Sequence, residues 1–279
     1  MELRFWGVRG SIPSPGPHTL AVGGNTACLS IERNGHFLIV DAGTGIVRLG
    51  RQLETEDRPE ITGSIFLTHY HWDHIQGLPY FKPAYREENR FHVYGKANNR
   101  LRLHEILAVQ MQRPYFPVSI DNLDGLVTFN PLQAGETVAF SDQVTVRTGK
   151  LNHPDGAIGY RFEMPEATIC VISDHEHPAD GLDRDVVAFA KGADVLIHEA
   201  AYQPEEKRGP KAGWGHSSWE DAALTAQAAG AGRLFLTHHE PSRSDLEVFE
   251  ILSMARRIFP DTDVATESTV VRLGDTNIG

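Results

Sequence analysis

The sequence predicts one α/β domain in which helices flank β-sheet. Short apolar runs bounded by turn residues occupy the first half of the chain, and similar runs alternate with segments of helical periodicity in the second half. No low-complexity tract, long Gly/Ser linker or short-period repeat interrupts the 279 residues. A chain of this length can bury a large core, so a single domain over residues 1–279 is expected.

The individual elements follow from these runs. Strands are predicted over residues 3–6, 27–31, 37–40, 64–67, 91–94, 144–148, 159–164, 168–173, 194–197 and 233–237. Helices are predicted over residues 100–112, 183–190, 218–229 and 244–259, and Pro114 ends the first of them. The last two helices are expected to begin at Ser-x-x-Glu capping boxes, Ser217 with Glu220 and Ser244 with Glu247.

Charge and cysteine content restrict partners and location. The formal net charge of −11 provides no field that attracts nucleic acid non-specifically, so a small substrate is favoured over a long nucleic acid. Cys28 and Cys170 lie in apolar runs, which predicts buried, reduced thiols. The sequence contains neither a signal-like segment nor an apolar run of membrane-spanning length, so a cytoplasmic protein without membrane association is expected.

The stretch "LTHYHWDHIQGLP", residues 67–79, places three histidines and an aspartate within six positions after an apolar run. Imidazole is the commonest protein ligand of transition metals, and carboxylate is its usual anionic companion. In an extended segment His69 and His71 point to the same side, so they can bind one ion together. Asp73 and His74 follow directly and are candidates for a second ion.

Other residues of the same chemistry also follow apolar runs. They are His153, Asp174, Glu199 and His238. Ligands in α/β folds gather beyond the ends of strands, because these ends meet along one edge of the sheet. We therefore expect these residues to be neighbours in space. Two metal ions roughly 3.5 to 4 Å apart need a bridging carboxylate, and Asp174 is the candidate.

This ordered set resembles the metallo-β-lactamase superfamily over essentially the whole chain. The resemblance implies a four-layer αβ/βα sandwich with a dinuclear metal site at the sheet edge. It assigns His69, His71 and His153 to one ion and Asp73, His74 and His238 to the other, with Asp174 bridging. Asp41, in "LIVDAGTG", matches an early aspartate of the family that supports the site without binding metal.

Further motifs resemble one branch of that superfamily. Dinuclear β-lactamases have a cysteine where Asp174 stands, so lactam hydrolysis is not expected. The stretches "IHEAAY", "GWGHSSW" and "FWGVRGSIPSPG" resemble the phosphodiesterase branch that includes ribonuclease Z and phosphoribosyl 1,2-cyclic phosphate phosphodiesterase. In that branch a glutamate orients a histidine, here Glu199 and His216. The implied catalytic residues are therefore Asp73, Glu199 and His216.

The resemblance implies a metal-dependent phosphodiesterase. In such an enzyme the metal ions would supply hydroxide for the attack on phosphorus, and His216 would protonate the leaving group. Bacterial ribonuclease Z enzymes insert an arm that binds transfer RNA between the positions of His153 and Asp174, which are only 21 positions apart here. A small substrate, such as a cyclic nucleotide or cyclic ribose phosphate, is therefore expected. The expected cofactors are two divalent ions, zinc or alternatively manganese or iron, and homodimerisation is implied.

Several alternatives stay open at this point. The chain is alternatively a nuclease of RNA 3′ ends, a thioesterase or lactonase of the same superfamily, or a metal-binding regulator without turnover. His239 is an alternative ligand to His238, and His216 alternatively does no more than begin a capped helix. His175 and His177 are expected at the surface or in support of the ligands, rather than as ligands.

Overall fold

The computed structural model describes residues 1–56, 58–140 and 143–274. These residues form two compact units. The first unit consists of Met1–Pro13, Asn25–Gln133 and Glu267–Leu273, and the second consists of Ser14–Gly24, Ala134–Thr266 and the segment from Gly274. Each unit contains one seven-stranded sheet, so the predicted α/β class is confirmed. The single domain over residues 1–279 stays a prediction.

The described residues form fourteen strands and seven α-helices. The strands are β1 (Glu2–Gly7), β2 (Cys28–Arg33), β3 (His36–Val40), β4 (Thr62–Leu67), β5 (Arg90–Lys96), β6 (Leu126–Leu132), β7 (Thr137–Phe140), β8 (Val144–Leu151), β9 (Ala157–Glu163), β10 (Thr168–Ile172), β11 (Val195–Glu199), β12 (Arg233–Thr237), β13 (Thr262–Val264) and β14 (Val270–Arg272). The helices are α1 (Gly45–Thr55), α2 (Trp72–Ile75), α3 (Leu103–Val109), α4 (Arg184–Ala190), α5 (Pro204–Arg208), α6 (Trp219–Ala229) and α7 (Asp245–Ile258). Short 3-10 turns also occur in the first unit, at Leu78–Tyr80, Lys82–Tyr85 and Ile120–Asn122.

The sheet of the first unit has the strand order β14-β1-β2-β3-β4-β5-β6. Strands β3 to β6 run parallel to one another, and Val40 of β3 is aligned with Phe66 of β4. The side chains of Ile39, Ile65 and Val93 are fully buried in the core of this unit. Because β3 and β4 are parallel and in register, the residues that follow them leave the sheet at the same edge.

The sheet of the second unit has the strand order β13-β12-β11-β10-β9-β8-β7. Strands β10 to β13 are parallel, with Ile172 aligned to His198 and Glu199 aligned to Thr237. The strands β10 and β11 are almost continuously buried, as is typical of parallel strands covered on both faces. Their carboxyl ends therefore meet at one edge.

Most of the predicted elements are present, with shifted boundaries. Helix α3 is shorter than the predicted 100–112. Strands β6, β7, β13 and β14 and the helices α1 and α5 were not predicted. Helix α1 contains Gly45 and Gly50, which lower helix propensity. A Cβ at Gly50 would lie 3.0 Å from the Phe81 ring, so close packing favours glycine there. Sequence periodicity does not reveal such packing.

One capping prediction was correct and the other was wrong. Ser244 and Glu247 form the expected box at α7. At α6 the box is Ser218 with Asp221, one residue later than predicted. Ser217 has a different role, because its hydroxyl donates a hydrogen bond to the backbone carbonyl of His175.

Two further expectations concern membranes and thiols. In the part of the chain that the structure describes, no helix combines the length and apolarity needed to cross a membrane. Cys28 and Cys170 are both free and buried, which confirms the predicted reduced thiols. Burial raises the pKa of the Cys170 thiol to about 12 and also raises the pKa of Cys28.

We expect neither thiol to react with Ellman's reagent in the native protein at pH 8. The reactive species is the thiolate, and burial suppresses both its formation and the approach of the reagent. Spectrophotometric titration is expected to detect two thiols only after denaturation. Rapid reaction of either thiol in the native state would contradict the packing described here.

We expect Asp221→Ala to reduce the free energy of unfolding by at least about 1 kcal/mol. The substitution removes the carboxylate that accepts from Ser218 N and lies 3.0 Å from Lys207 Nζ. Glu220→Ala is the matched control, because it removes only a partner of the exposed Arg208 and should cost no more than about 0.5 kcal/mol. Urea unfolding of both variants measures the difference. A larger effect of Glu220→Ala would restore the capping box that was first predicted.

Candidate functional site

The histidine-rich turn of the first unit begins where β4 ends. Helix α2 starts directly after His71, so the polypeptide changes direction within the motif. The ring centroids of His69 and His71 are 4.6 Å apart, and those of His69 and His74 are 4.2 Å apart. The structure therefore brings the three predicted imidazoles of this stretch together.

Asp41 orients the ring of His74 through a hydrogen bond. It follows β3, and its backbone N–H donates to the carbonyl of Phe66 in the neighbouring strand. Its Oδ2 lies 2.8 Å from His74 Nδ1, and its Oδ1 accepts from the backbone N–H of Thr68 at 2.8 Å. Holding Nδ1 in this way leaves Nε2 as the nitrogen that is oriented to bind a metal. The arrangement agrees with a supporting role for Asp41.

Asp73 lies beside His74 in the same unit and is 5% exposed. Its Oδ2 is 3.3 Å from His74 Nε2 and accepts a hydrogen bond of 2.7 Å from the backbone N–H of Ser11. Ser11 was not among the predicted site residues. The only sequence signal was its position in the N-terminal segment "FWGVRGSIPSPG", because a backbone donor has no residue-specific signature.

The second unit places two predicted histidine ligands beside the carboxylate of a third predicted ligand, Asp174. Asp174 follows β10, His153 follows β8 and His238 follows β12. Asp174 Oδ2 is 3.7 Å from His153 Nε2 and 3.4 Å from His238 Nε2. All three side chains are almost completely buried. His239 is also buried, but His238 is the residue that lies against Asp174, as expected.

Glu199 and His216 form the predicted pair. Glu199 ends β11 and is fully buried, and its Oε1 lies 3.2 Å from His216 Nδ1. The same oxygen accepts from the backbone N–H groups of His175 and Ser217, at 2.8 and 3.1 Å. Such backbone donors stabilise an ionised carboxylate. His216 Nδ1 is also 3.9 Å from Asp174 Oδ2, so the pair lies next to the predicted metal ligands of this unit.

His153 is held in one tautomer by the loop that precedes His216. Its Nδ1 donates to the carbonyl of Gly215 at 2.8 Å. Burial lowers the pKa of His153, although Asp174 opposes this effect. A neutral imidazole with its Nδ1 occupied presents Nε2 as the ligand atom.

His175 and His177 are not surface residues, so that part of the expectation was wrong. Both are buried. The distance from His175 Nε2 to His177 Nδ1 is 3.3 Å, and the distance from His177 Nε2 to His198 Nε2 is 3.4 Å. Burial, reinforced by the nearby His198, lowers the pKa of His175 to about 3 and also lowers that of His177. His175 contacts the site through its backbone N–H, which donates to Glu199, whereas His177 contacts the rings of His175 and His198. The expected supporting role of His177 stays a prediction.

The donor set fits a divalent metal. Suitable atoms of His153, Asp174 and His216 lie within 4.8 Å of one another. Imidazole and carboxylate are typical ligands of zinc, manganese and iron. In both units, moreover, a histidine that is assigned to a metal donates its Nδ1–H to an oxygen atom of the protein, His74 to Asp41 Oδ2 and His153 to the carbonyl of Gly215. This support through the second ring nitrogen is characteristic of metal-binding histidines.

Comparison with known proteins agrees with this chemistry. The family described as "Beta-lactamase superfamily domain" matches residues 36–239. The chain is 27% identical over 311 aligned positions to ribonuclease Z of Lacticaseibacillus casei, with 96% of this chain and 93% of that protein covered. It is 26% identical to ribonuclease Z of Methanothermobacter thermautotrophicus over 326 positions, with 98% and 97% covered.

Solved structures show the same fold. Human tRNase Z, short form, has a TM-score of 0.68 and 21% identity, with 98% of this chain and 99% of that chain covered. Zinc-bound PqqB of Methylobacterium extorquens has a TM-score of 0.73 and 16% identity, with 98% and 100% covered. A diphosphatase of the PhnP family has a TM-score of 0.67 and 17% identity, with 97% and 96% covered. The chain therefore belongs to the β-lactamase superfamily domain family and has the predicted metallo-β-lactamase fold.

Proposed function

We propose that this metal-dependent phosphodiester hydrolase acts on a small phosphodiester, such as a cyclic nucleotide or a cyclic ribose phosphate. The observation that carries the proposal is the Glu199–His216 pair beside Asp174. Thioesterases and lactonases of the superfamily have no assigned role for such a pair. Hydrolysis of a diester of an aliphatic alcohol, in contrast, needs an acid that protonates the leaving alkoxide.

The family pattern supports two divalent metal ions. The proposed ligands are His69, His71, Asp73, His74, His153, Asp174 and His238, with zinc as the proposed metal. When bound, such ions generate a nucleophile from water near neutral pH and neutralise charge on the phosphoryl group. The zinc-bound neighbour of similar fold supports zinc, and the two supported histidines, His74 and His153, fit it.

The acid in this proposal is His216. Because Nδ1 of His216 is hydrogen-bonded to Glu199, its Nε2 is the nitrogen that would transfer the proton. A buried carboxylate stabilises the imidazolium and also prevents the ring from turning. The ring of His216 stacks on that of His238, with centroids 5.2 Å apart, and packs edge-on against Tyr202 at 5.4 Å. These contacts support a fixed proton donor in preference to a mobile surface histidine.

Chain length supports a small substrate. Between His153 and Asp174 the structure has β9, β10 and the turns that join them, which leaves no residues for an inserted arm. The alignment with the Lacticaseibacillus ribonuclease Z spans 311 positions, whereas this chain has 279 residues. That relative therefore contains residues that have no counterpart here. The net charge of −11 also disfavours a long polyanion.

Processing of RNA 3′ ends is the second candidate function. The relatives named ribonuclease Z favour it, because they cover nearly the whole chain. Both candidate functions use the same proposed ligands and the same acid, so they differ only in how the remainder of the substrate is bound.

We expect zinc-loaded protein to hydrolyse bis(p-nitrophenyl) phosphate and 2′,3′-cyclic nucleotides, with a higher kcat/KM than for a transfer RNA precursor with a 3′ trailer. Asp174→Ala should abolish both reactions, because the family pattern makes Asp174 the bridging ligand. Asp185→Asn, an exposed aspartate at the start of α4, is the matched control and should retain full activity.

A higher kcat/KM for the RNA precursor would replace the small-substrate proposal with the RNA nuclease. Turnover of a thioester or lactone without diester cleavage would refute both candidate functions.

We expect His216→Ala to lower kcat by about 10²- to 10⁴-fold with a substrate whose leaving group is a ribose alkoxide. The loss should be much smaller with bis(p-nitrophenyl) phosphate, because p-nitrophenolate leaves without protonation. Zinc content, measured by mass spectrometry, should be unchanged. Equal losses with both substrates would contradict the acid role, and loss of zinc would make His216 a metal ligand.

A further inference from the structure

Glu176 joins the loop that carries His216 to the strand end that carries Asp174. Its Oε1 accepts a hydrogen bond from the backbone N–H of Gly213, and its Oε2 accepts one from the backbone N–H of Gly215, both at 2.7 Å. Hydrogen bonds to a carboxylate are stronger than bonds between neutral groups. Each carboxylate oxygen therefore holds one N–H group of this loop.

The backbone of Glu176 binds a third segment. Its N–H donates to the carbonyl of Asn152, and the side-chain amide of Asn152 donates to the carbonyl of Glu176, both at 2.8 Å. Asn152 directly precedes His153. A single residue thus connects the segments that carry His153, Asp174 and His216, all within the second unit.

The loop between the two N–H groups has a backbone conformation that depends on two glycines. Gly213 and Gly215 have φ angles of +81° and +89°, in the region that favours glycine. At Gly215 an added Cβ would lie 2.4 Å from His153 Nδ1. The chain therefore passes so close to the imidazole that the Gly215 carbonyl can accept from it. Two glycines also give the loop many alternative conformations once it is released.

We propose that Glu176 is a positioning residue for hydrolysis. Through Gly215 it orients His153, and through the same loop it holds His216 in register with Glu199. The inference rests on the proposed function for its catalytic consequence, but its structural part does not. Glu176 has no part in the proposed ligand set and acts only through other residues. Nothing in the family pattern that predicted the ligands and the acid includes it.

The chemistry of the contact determines the most informative substitution. Each of the two N–H donors is paired with a separate carboxylate oxygen, whereas glutamine offers one oxygen and one NH₂ donor. Glu176→Gln keeps the size of the side chain but places a donor opposite one of the glycine N–H groups. Glu250→Gln, at an exposed position of α7, makes the same chemical change outside the site and is the matched control.

We expect three changes in Glu176→Gln and none in Glu250→Gln. Zinc affinity, measured by competition with a chromophoric chelator, should fall about 10-fold or more, as is usual when the partner that orients a metal-binding histidine is disturbed. At saturating zinc, kcat for a 2′,3′-cyclic nucleotide should fall while KM changes little. Trypsin should cut the native variant faster after Lys211, which lies two positions before Gly213. Glu176→Asp keeps both oxygens on a shorter side chain and should give intermediate values.

The outcomes separate this inference from the proposed function. Unchanged zinc affinity and unchanged cleavage after Lys211 in Glu176→Gln would overturn the positioning role, whatever the activity. If no diester is hydrolysed by the wild type, while both of these readouts change, the proposed function fails and the structural positioning stands. If Glu176→Gln does not fold, the folded Glu176→Asp variant decides: weaker zinc binding supports the role, and wild-type values for all three readouts overturn it.

Discussion

Parallel pairing of β10, β11 and β12 is the constraint on which the candidate site of the second unit depends. Hydrogen bonds between parallel strands keep their carboxyl ends level, and the registers observed here align Ile172 with His198 and Glu199 with Thr237. Asp174, Glu199 and His238 therefore emerge at one edge, although up to 64 positions separate them in the sequence. The same pairing of β3 and β4 brings Asp41 to the histidine turn of the first unit.

Burial makes the polar network at these strand ends rigid. A buried carboxylate is costly unless donors satisfy it. Asp41 obtains its donors from Thr68 and His74, and Oε1 of Glu199 obtains its donors from His175, His216 and Ser217. The donors to Glu199 come from two segments, His175 after β10 and the adjacent His216 and Ser217, so loss of one bond disturbs the position of several groups. We infer that fixed ligand orientation, rather than large stability, is the benefit of this network.

The structure also changes how the histidines outside the ligand set are interpreted. His175, His177 and His198 form a buried, neutral row behind Glu199, with pKa values lowered by burial. The backbone N–H of His175 donates to Glu199, whereas its ring accepts through Nδ1 from the backbone N–H of Asn152. The ring and the backbone of this residue therefore have different partners. A histidine-rich sequence thus contains ligand candidates, a proposed acid and purely supporting rings, and only their surroundings distinguish the three.

The sequence by itself determined the α/β class and the candidate ligands, and the resemblance of its motifs to a known family implied the Glu199–His216 pair. Apolar periodicity reports strands and helices, and metal-type residues at strand ends have a distinctive order. Tertiary structure alone decided which serine caps α6, that His175 and His177 are buried, and that Ser11 and Glu176 support the site. The contacts of Ser11 and Glu176 are made through backbone N–H groups. At Gly50 and Gly215, neighbouring atoms approach so closely that a side chain would not fit without a shift. Every residue except proline has the same backbone donor, so its partner depends on the path of the chain in space and not on residue type.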